Sequence, residues 1–434
     1  MFQKFKLVFI TLLFANFIGN AASANNLETI SKVTSSSVLI RTHLLHGFAE
    51  DDEASGRWRG SGFVVDKTRG WIVTNAHVAG HGVSKIKVSF VDDGEQLIAT
   101  RLFVDTKHDI AVLQVDPDLI PQFTEELRID CRYELRRGES VLAIGHPKGH
   151  NFTSTLGVLS GIRKFGVDGE LFTTDLVTES GSSGGPVVSL DTGLVVGMAT
   201  AGYGGSDLGL LTKARDICRI IEPMKLGIDP SRPTFGFQFL VRDGEPSSTV
   251  GRVFNSKLNL RPGDLVLGVN GNSWEPEQDG DLADSLRAIK TSSIILNIQR
   301  GDKELDVHIP LRKRGSSHGR DWVYFNGITI AESGHDDIGF RAGGSLYPVL
   351  VVQSVDHDRD DTADIEFGQY SHLVSIDGYP VHTIKELKNI LRSSVGRTIS
   401  IVARAWDLTA EAIAFHFEHS FEVEDVRSGG RSDV

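Results

Sequence analysis

Three short stretches carry residue types able to do nucleophilic chemistry together. "TNAHV" sets His77 directly after the apolar run "GWIVT", "KHDIAVLQV" sets Asp109 32 residues later, and "ESGSSGGPVV" sets Ser183 another 74 residues on. A serine hydroxyl is nearly inert at neutral pH, so an imidazole must take its proton and later return it to the leaving amine. A carboxylate must hold that imidazole in one tautomer and stabilise it when charged. Negative charge developing on the tetrahedral intermediate needs converging backbone N–H donors, and glycines permit the turn that aims them. Of Ser180, Ser182 and Ser183, only Ser183 stands immediately before Gly184-Gly185-Pro186, where a tight turn can present its hydroxyl. The expected roles are Ser183 as nucleophile, His77 as base then acid, Asp109 as its orienting carboxylate, and the Gly181 and Ser183 amides as oxyanion hole.

Other histidines read differently. His77 and His81 are four apart and could share a helix face as metal ligands, yet Gly80 and Gly82 disfavour a helix and no acid follows in a metalloprotease pattern. No metal and no cofactor is expected. His43, His46, His108, His146 and His150 read as ordinary polar or cleft-edge residues.

The elements that must position this chemistry are β-strands. From about Val38 to Met198 the text is short β-prone runs broken by glycine and Asn/Asp turns, among them "SVLIRTHLL", "GSGFVVD", "KIKVSFV", "ESVLAIGHP" and "GLVVGMAT", which argues for an all-β sandwich or barrel. Helical pattern first appears at "KARDICRIIEPMK", residues 213–225, and "GIDPSRPT" reads as a linker, closing a first domain over 25–228. Beyond it lies a weak internal repeat. "LRPGDLVLGVNGNSW" is echoed by "SHLVSIDGYPV", each followed by a helical segment (282–290 and 384–394) and a β-like run. Two small α+β modules are expected, with a flexible tail over 420–434.

The chain opens with Lys4 and Lys6, runs apolar from Leu7 to Ile18 and reaches Ala22-Ser23-Ala24. That is the pattern of a secretory signal peptide over 1–24, cut after Ala24; the apolar run is short against the roughly 20 residues a span needs. A mature chain of 410 residues in a periplasm or outside the cell follows, without stable membrane insertion. Its formal charge passes from −12 to −14, because the leader carries two lysines and no acid. Such a surface repels nucleic acid. Cys131 and Cys218 are the only cysteines, and spacing leaves a disulfide and two buried thiols equally open.

The protease-like segments resemble the HtrA (Deg) family of trypsin-fold serine proteases, through "GSGFVVD…GWIVTNAHV", "HDIAVLQV", "LRRGESVLAIGHPKG", "TLGVLSG" and "TDLVTESGSSGGPVV". Asp105 is the rival for Asp109, and the run "IAVL" directly after Asp109 is the family pattern. The resemblance implies a mainly β chain: a trypsin-like double β-barrel with the triad in its cleft, followed by two PDZ-like domains. It implies an ATP-independent endopeptidase that degrades unfolded or damaged exported proteins, working as a homotrimer or larger assembly. Two residues depart from the pattern, Ser182 where Asn is usual and His146 where Asn is common, both near the oxyanion region. By carry-over, Val177 forms the floor of the specificity pocket and Met198 to Thr200 one wall. With no acid there, small or medium aliphatic residues before the scissile bond are favoured.

Phe235-Gly236-Phe237 resembles the carboxylate-binding loop of PDZ domains, where consecutive N–H groups hold a C-terminal carboxylate and the next strand accepts the peptide by β-addition. Residues 232–312 are read as the first such domain and 322–404 as the second. "YFNGITIAE" lacks a clear carboxylate loop, so the second is expected to contact the protease domain or partner subunits. A chaperone-like scaffold with a latent protease site, and a regulatory protease with one dedicated substrate, are the alternatives.

Overall fold

The computed structural model describes residues 26–430 except 52, 93, 165–168, 177, 201–207, 243–244, 277–280, 314–319, 333–348, 361 and 407–413. The expected signal peptide lies outside them. A helix over 26–36 (α1) leads into two closed six-stranded barrels. The first comprises β1 (Ser37–His46), β2 (Gly56–Asp66), β3 (Trp71–Thr74), β4 (Val83–Phe90), β5 (Leu97–Asp105) and β6 (Ile110–Gln114), closed in the order β1-β2-β3-β6-β5-β4. The second comprises β7 (Ser140–Gly145), β8 (Thr153–Lys164), β9 (Glu170–Thr174), β10 (Pro186–Ser189), β11 (Val195–Thr200) and β12 (Gly209–Lys213), closed as β10-β11-β12-β9-β8-β7. A one-turn helix α2 (Ala76–Ala79) follows β3, and α3 (Ala214–Lys225) follows β12.

Why β6 reads as an unbroken apolar run becomes clear from its neighbours. Successive strand residues point to opposite faces, and both faces of β6 are covered. Ala111 and Leu113 fill the first barrel with Val38, Ile40 and Val88. Ile110 and Val112 point outward into a shared core with Phe63, Val73, Leu142, Ile144, Met198 and Ile217, contributed by both barrels and α3. That shared core fixes the cleft at the start of β6, where Asp109 lies. Cys131 and Cys218 form a disulfide with Cα atoms 5.6 Å apart, tying the segment between the barrels to α3.

The first PDZ-like module is a sheet in the order Phe237–Arg242, Glu245–Val253, Leu265–Val269, Ser293–Arg300, Lys303–Pro310, with Phe237–Arg242 at the edge. The helix expected over 282–290 is limited to Leu282–Ser285, capped by the Asp281 carboxylate on the amides of Ala283 and Asp284. The linker is pinned: Arg287 donates to the Pro230 carbonyl, and Arg232 pairs with Asp281 and Asp284.

In the second module, Ile328–Glu332 and Leu350–Val355 correspond in order to the first two strands of the first. Here the strand Trp322–Phe325 pairs along the outer edge of Ile328–Glu332, and Arg427–Gly429 pairs beyond that. The turn between them, Asn326-Gly327, has positive φ at both residues, the geometry of a tight type I′ hairpin. This module's own chain therefore covers the edge that a peptide would join. The tail expected to be flexible from 420 is a correction: Ala414–Glu422 is a nine-residue strand and Arg427–Gly429 closes the sheet, with Phe421 and Val423 buried in the core. The apolar side chains of "SFEVEDV" are held by that sheet, and 431–434 lie outside the described residues.

As expected, the second module packs on the protease barrel. Gln353 Oε1 accepts from the Ala49 amide at 3.1 Å, Ser354 donates to the Gly47 carbonyl at 2.9 Å, and the Tyr370 hydroxyl donates to the Ala49 carbonyl at 2.9 Å. Arg320 pairs with Glu50, and the His46 ring lies 4.2 Å from that of Tyr324. Among the described residues no helix is long and apolar enough to cross a membrane.

Candidate active site

His77 sits in α2, one turn beyond β3, with its side chain 42% exposed in the cleft. Asp109 occupies the turn before β6 with φ of +53°, a left-handed conformation that aspartate tolerates better than most residues. This backbone aims its carboxylate at three donors. Oδ1 accepts from the His77 amide at 3.0 Å, and Oδ2 meets His77 Nδ1 at 2.8 Å and the Thr200 hydroxyl at 3.0 Å. The Asp109 carbonyl accepts from Asn75 Nδ2 at 2.9 Å. With Nδ1–H held on the carboxylate, Nε2 is left as the basic nitrogen, which is the tautomer that proton abstraction needs. Asp105, the rival, is instead buried between His108 and Arg287.

Ser183 is set at the barrel junction by its backbone. Its carbonyl accepts from the Ser61 amide of β2 at 2.7 Å, and the next amide, Gly184, donates to Ala199 of β11 at 2.8 Å. Gly184 has φ of +87°, and a Cβ there would stand 2.0 Å from the Ser61 carbonyl oxygen and 2.3 Å from Thr74 Oγ1. Only glycine lets the turn press this closely on the end of β3, three residues before His77. His77, Asp109 and the turn of Ser183 therefore converge at one end of the junction.

Each carbonyl of the serine turn has a partner. Ser180 O accepts from Lys148 N at 2.9 Å, Gly181 O from the Ser61 hydroxyl at 2.7 Å, and Ser182 O from Gly185 N at 3.0 Å. The Ser182 amide donates to Glu179 O. Among the described residues, the amides of Gly181 and Ser183 donate to no protein group. These two N–H groups, one of them Ser183's own, are unspent among the described residues.

The expected pocket residues fare differently. Val177 lies outside the described residues. Met198 is wholly buried in the core shared by the barrels, and the Thr200 hydroxyl is spent on Asp109. The side chains at these two wall positions thus serve packing and the carboxylate, because β11 turns them inward toward β6. Asn75, Ser61 and Thr200 support the site in roles that sequence reasoning missed; the only signal for Asn75 was its place inside "TNAHV". His146, read as an ordinary polar residue, is completely buried against Ser61.

In the first PDZ-like module, Gly236 has φ of +77° and its carbonyl accepts from the amides of Phe254 and Asn255. Phe237 is buried, and Phe239 stacks on Trp274 at 5.2 Å. The loop Phe235-Gly236-Phe237 leads directly into the edge strand.

Two closed barrels with a histidine–aspartate pair and a glycine-bounded serine at their junction define a trypsin-like serine endopeptidase. The trypsin-like peptidase domain pattern matches residues 60–198. A probable periplasmic serine endoprotease, DegP-like, from Halomonas elongata is 31% identical over 52% of this chain, although the match spans only half of that relative's length. A DegP-like counterpart from Chlamydia trachomatis is 25% identical over 81% of this chain and 73% of its own, and periplasmic serine endoprotease DegP of Salmonella typhimurium 26% identical over 77% and 72%. The solved HtrA-type protease AlgW with decapeptide shares the fold, with TM-score 0.51 and 20% identity over 67% of this chain and 98% of that one. The chain thus carries a trypsin-like peptidase domain and is similar, over most of its length, to serine endoproteases of the DegP/HtrA type.

Proposed function

We propose that this HtrA-type endopeptidase acts in the periplasm, without ATP, on unfolded or damaged exported proteins. It is delivered there by the leader over 1–24, cut after Ala24. The disulfide between Cys131 and Cys218 suits an oxidising compartment. In the proposed mechanism His77 Nε2 takes the Ser183 proton as the hydroxyl attacks the scissile carbonyl. Asp109 holds the ring and stabilises its charged form, and the Gly181 and Ser183 amides bind the oxyanion. His77 then protonates the leaving amine, and water repeats the sequence on the acyl-enzyme. The observation carrying this reading is the 2.8 Å contact of His77 Nδ1 with Asp109 beside a serine turn in which the Gly181 and Ser183 amides are unspent among the described residues.

Cleavage after small or medium aliphatic residues is proposed from the family resemblance, which assigns the pocket floor to the apolar residue type at 177. C-terminal peptides are proposed as ligands of the first PDZ-like module, supported by the Gly236 loop and the open edge of Phe237–Arg242. The relative AlgW has been solved with peptides. A homotrimer or larger assembly is proposed, supported by exposed apolar side chains, Leu27 on α1 and Ile98 and Leu156 on the barrels. Sedimentation of the mature chain tests it, and a monomer would refute it.

The test of function is hydrolysis of unfolded casein by residues 25–434 beside Ser183→Ala, with cleavage sites mapped by mass spectrometry. Cuts after Val or Ala that vanish in the variant are expected. Client protection retained by Ser183→Ala, with no cleavage by the wild type, would instead favour a chaperone.

A further inference from the structure

Gly181 must offer its N–H to the oxyanion, yet a glycine imposes almost no orientation of its own. Its φ is +99°, a region only glycine enters readily. A Cβ there would lie 2.3 Å from the His146 carbonyl oxygen, so no other residue could take its place. The peptide planes on both sides of Gly181 must therefore be fixed from outside.

They are fixed by Ser61 and by the segment His146–Lys148. A trans peptide points its N–H opposite to its C=O, so the bond from Lys148 N to Ser180 O directs the Gly181 N–H away from that segment. On the other side, the Ser61 hydroxyl donates to Gly181 O at 2.7 Å. That hydroxyl has one hydrogen, already spent, so toward His146 Nδ1, 2.9 Å away, it can only accept. His146 is thereby the Nδ1–H tautomer. Its side chain is wholly buried, with Phe152 edge-on at 4.6 Å and Nε2 without a partner. Burial, reinforced by Arg41, pushes its pKa down to about 4 and keeps it neutral. A neutral, inaccessible imidazole with one fixed donor is suited to orienting a hydroxyl.

We propose that His146 and Ser61 are positioning residues for catalysis, forming a buried chain, His146 Nδ1–H to Ser61 Oγ–H to Gly181 C=O, that holds the oxyanion turn open. This rests on the reading of Ser183 as nucleophile and the Gly181 amide as oxyanion donor. His146 never touches substrate; it acts through Ser61.

The test compares Ser61→Ala, His146→Ala and His146→Asn with the wild type, measuring kcat and KM on an unfolded or peptide substrate. It also measures inhibition by a peptide boronic acid, whose tetrahedral adduct places an oxygen in the hole. Losing one oxyanion donor outright costs about 100- to 1,000-fold in kcat, so losing its support should cost roughly tenfold to a hundredfold. KM should stay within about twofold, boronate affinity should fall by a similar factor to kcat, and the basic limb of the pH–rate profile should keep its midpoint. His146→Asn, whose amide can still donate to Ser61, should recover most of what His146→Ala loses. If Ser61→Ala does not fold, the two His146 variants decide the matter alone. Wild-type kcat and boronate affinity in His146→Ala, or a loss confined to KM, would overturn the proposal while leaving the protease intact. A Ser183→Ala protein as active as wild type would overturn the underlying reading as well.

Discussion

Asp105 of the protease barrel and Arg287 of the first PDZ-like module form an ion pair whose side chains are 5% and 2% exposed. Arg287 also bonds Asp284 and the Pro230 carbonyl, while His108 bridges Asp105 and Asp284. This cluster grips the turn that ends at Asp109. Breaking a buried pair by removing one partner strands the other charge, at a cost of about 3–5 kcal/mol. Arg287→Ala should therefore lower the thermal midpoint sharply and reduce kcat by loosening the Asp109 turn. Arg287→Lys should rescue little, since one ammonium cannot replace the guanidinium fork. Calorimetry and steady-state kinetics read both effects, and an unchanged midpoint would show the cluster to be dispensable.

The pH dependence of stability should fall away on two sides, through different histidines. Burial, helped in each case by a nearby arginine, pushes His46, His146 and His372 down to about 4. The unfolded chain binds these protons near pH 6.5, so stability is complete above that value and is lost as pH falls toward 4. For His108, burial opposes the charge, but Asp105 and Asp284 outweigh it and raise the pKa to about 9. Its contribution is full below pH 6.5 and lost as pH rises through about 9. Thermal midpoints measured from pH 4 to 10 should peak near neutrality, and His108→Asn should flatten the alkaline limb. A profile level from pH 4 to 7 would contradict the buried, neutral state of the three depressed histidines.

The disulfide closes a loop of 87 residues of sequence separation. Constraining a loop of that length in the unfolded chain is worth about 4.6 kcal/mol in the chain-entropy model. Cys131→Ser with Cys218→Ser should therefore lower the denaturant midpoint while leaving KM near its wild-type value, since the bridge lies at α3 and not in the cleft. Equal midpoints with and without a reductant would exclude this contribution.

What the sequence disclosed and what it hid follow from the range of the interactions. The strand pattern disclosed an all-β domain because each alternation records which side chain faces a core, and β6 stands out because both its faces are covered; the division into two barrels was implied only by the family resemblance. His77 and Asp109, which the structure pairs, and the turn of Ser183 near them could be singled out because short-range turn and strand signals flank each of them. The role of His146 was not, because it depends on Ser61, 85 residues earlier, and on a carbonyl at 181. Thr200 was placed at a pocket wall because nothing local reveals that β11 turns its hydroxyl onto Asp109. Likewise the tail reads as frayed until Trp322–Tyr324 is seen beside it, since strand pairing across a hundred residues leaves no local trace.

Asp51 should couple the second module to His77. Its buried carboxylate accepts from the amides of Phe48, His81 and Gly82 at 2.7–2.9 Å. Phe48 belongs to the segment that Gln353, Ser354 and Tyr370 hold, whereas His81 and Gly82 follow directly on α2, which carries His77. Removing the carboxylate would leave three amides to find new partners, so Asp51→Ala should cost about 3 kcal/mol, taking roughly 1 kcal/mol or more for each lost bond. It should also lower kcat several-fold, because the end of α2 would lose its anchor. Asp51→Asn keeps one acceptor oxygen and should fall between. Gln353→Ala and Tyr370→Phe remove contacts on the far side of the same segment, and their effect on kcat should be smaller but in the same direction. If Asp51→Ala loses stability yet keeps wild-type kcat, the module serves only to hold the barrel together. If both fall, with the far-side variants following in proportion, the second module acts on the active site through this segment.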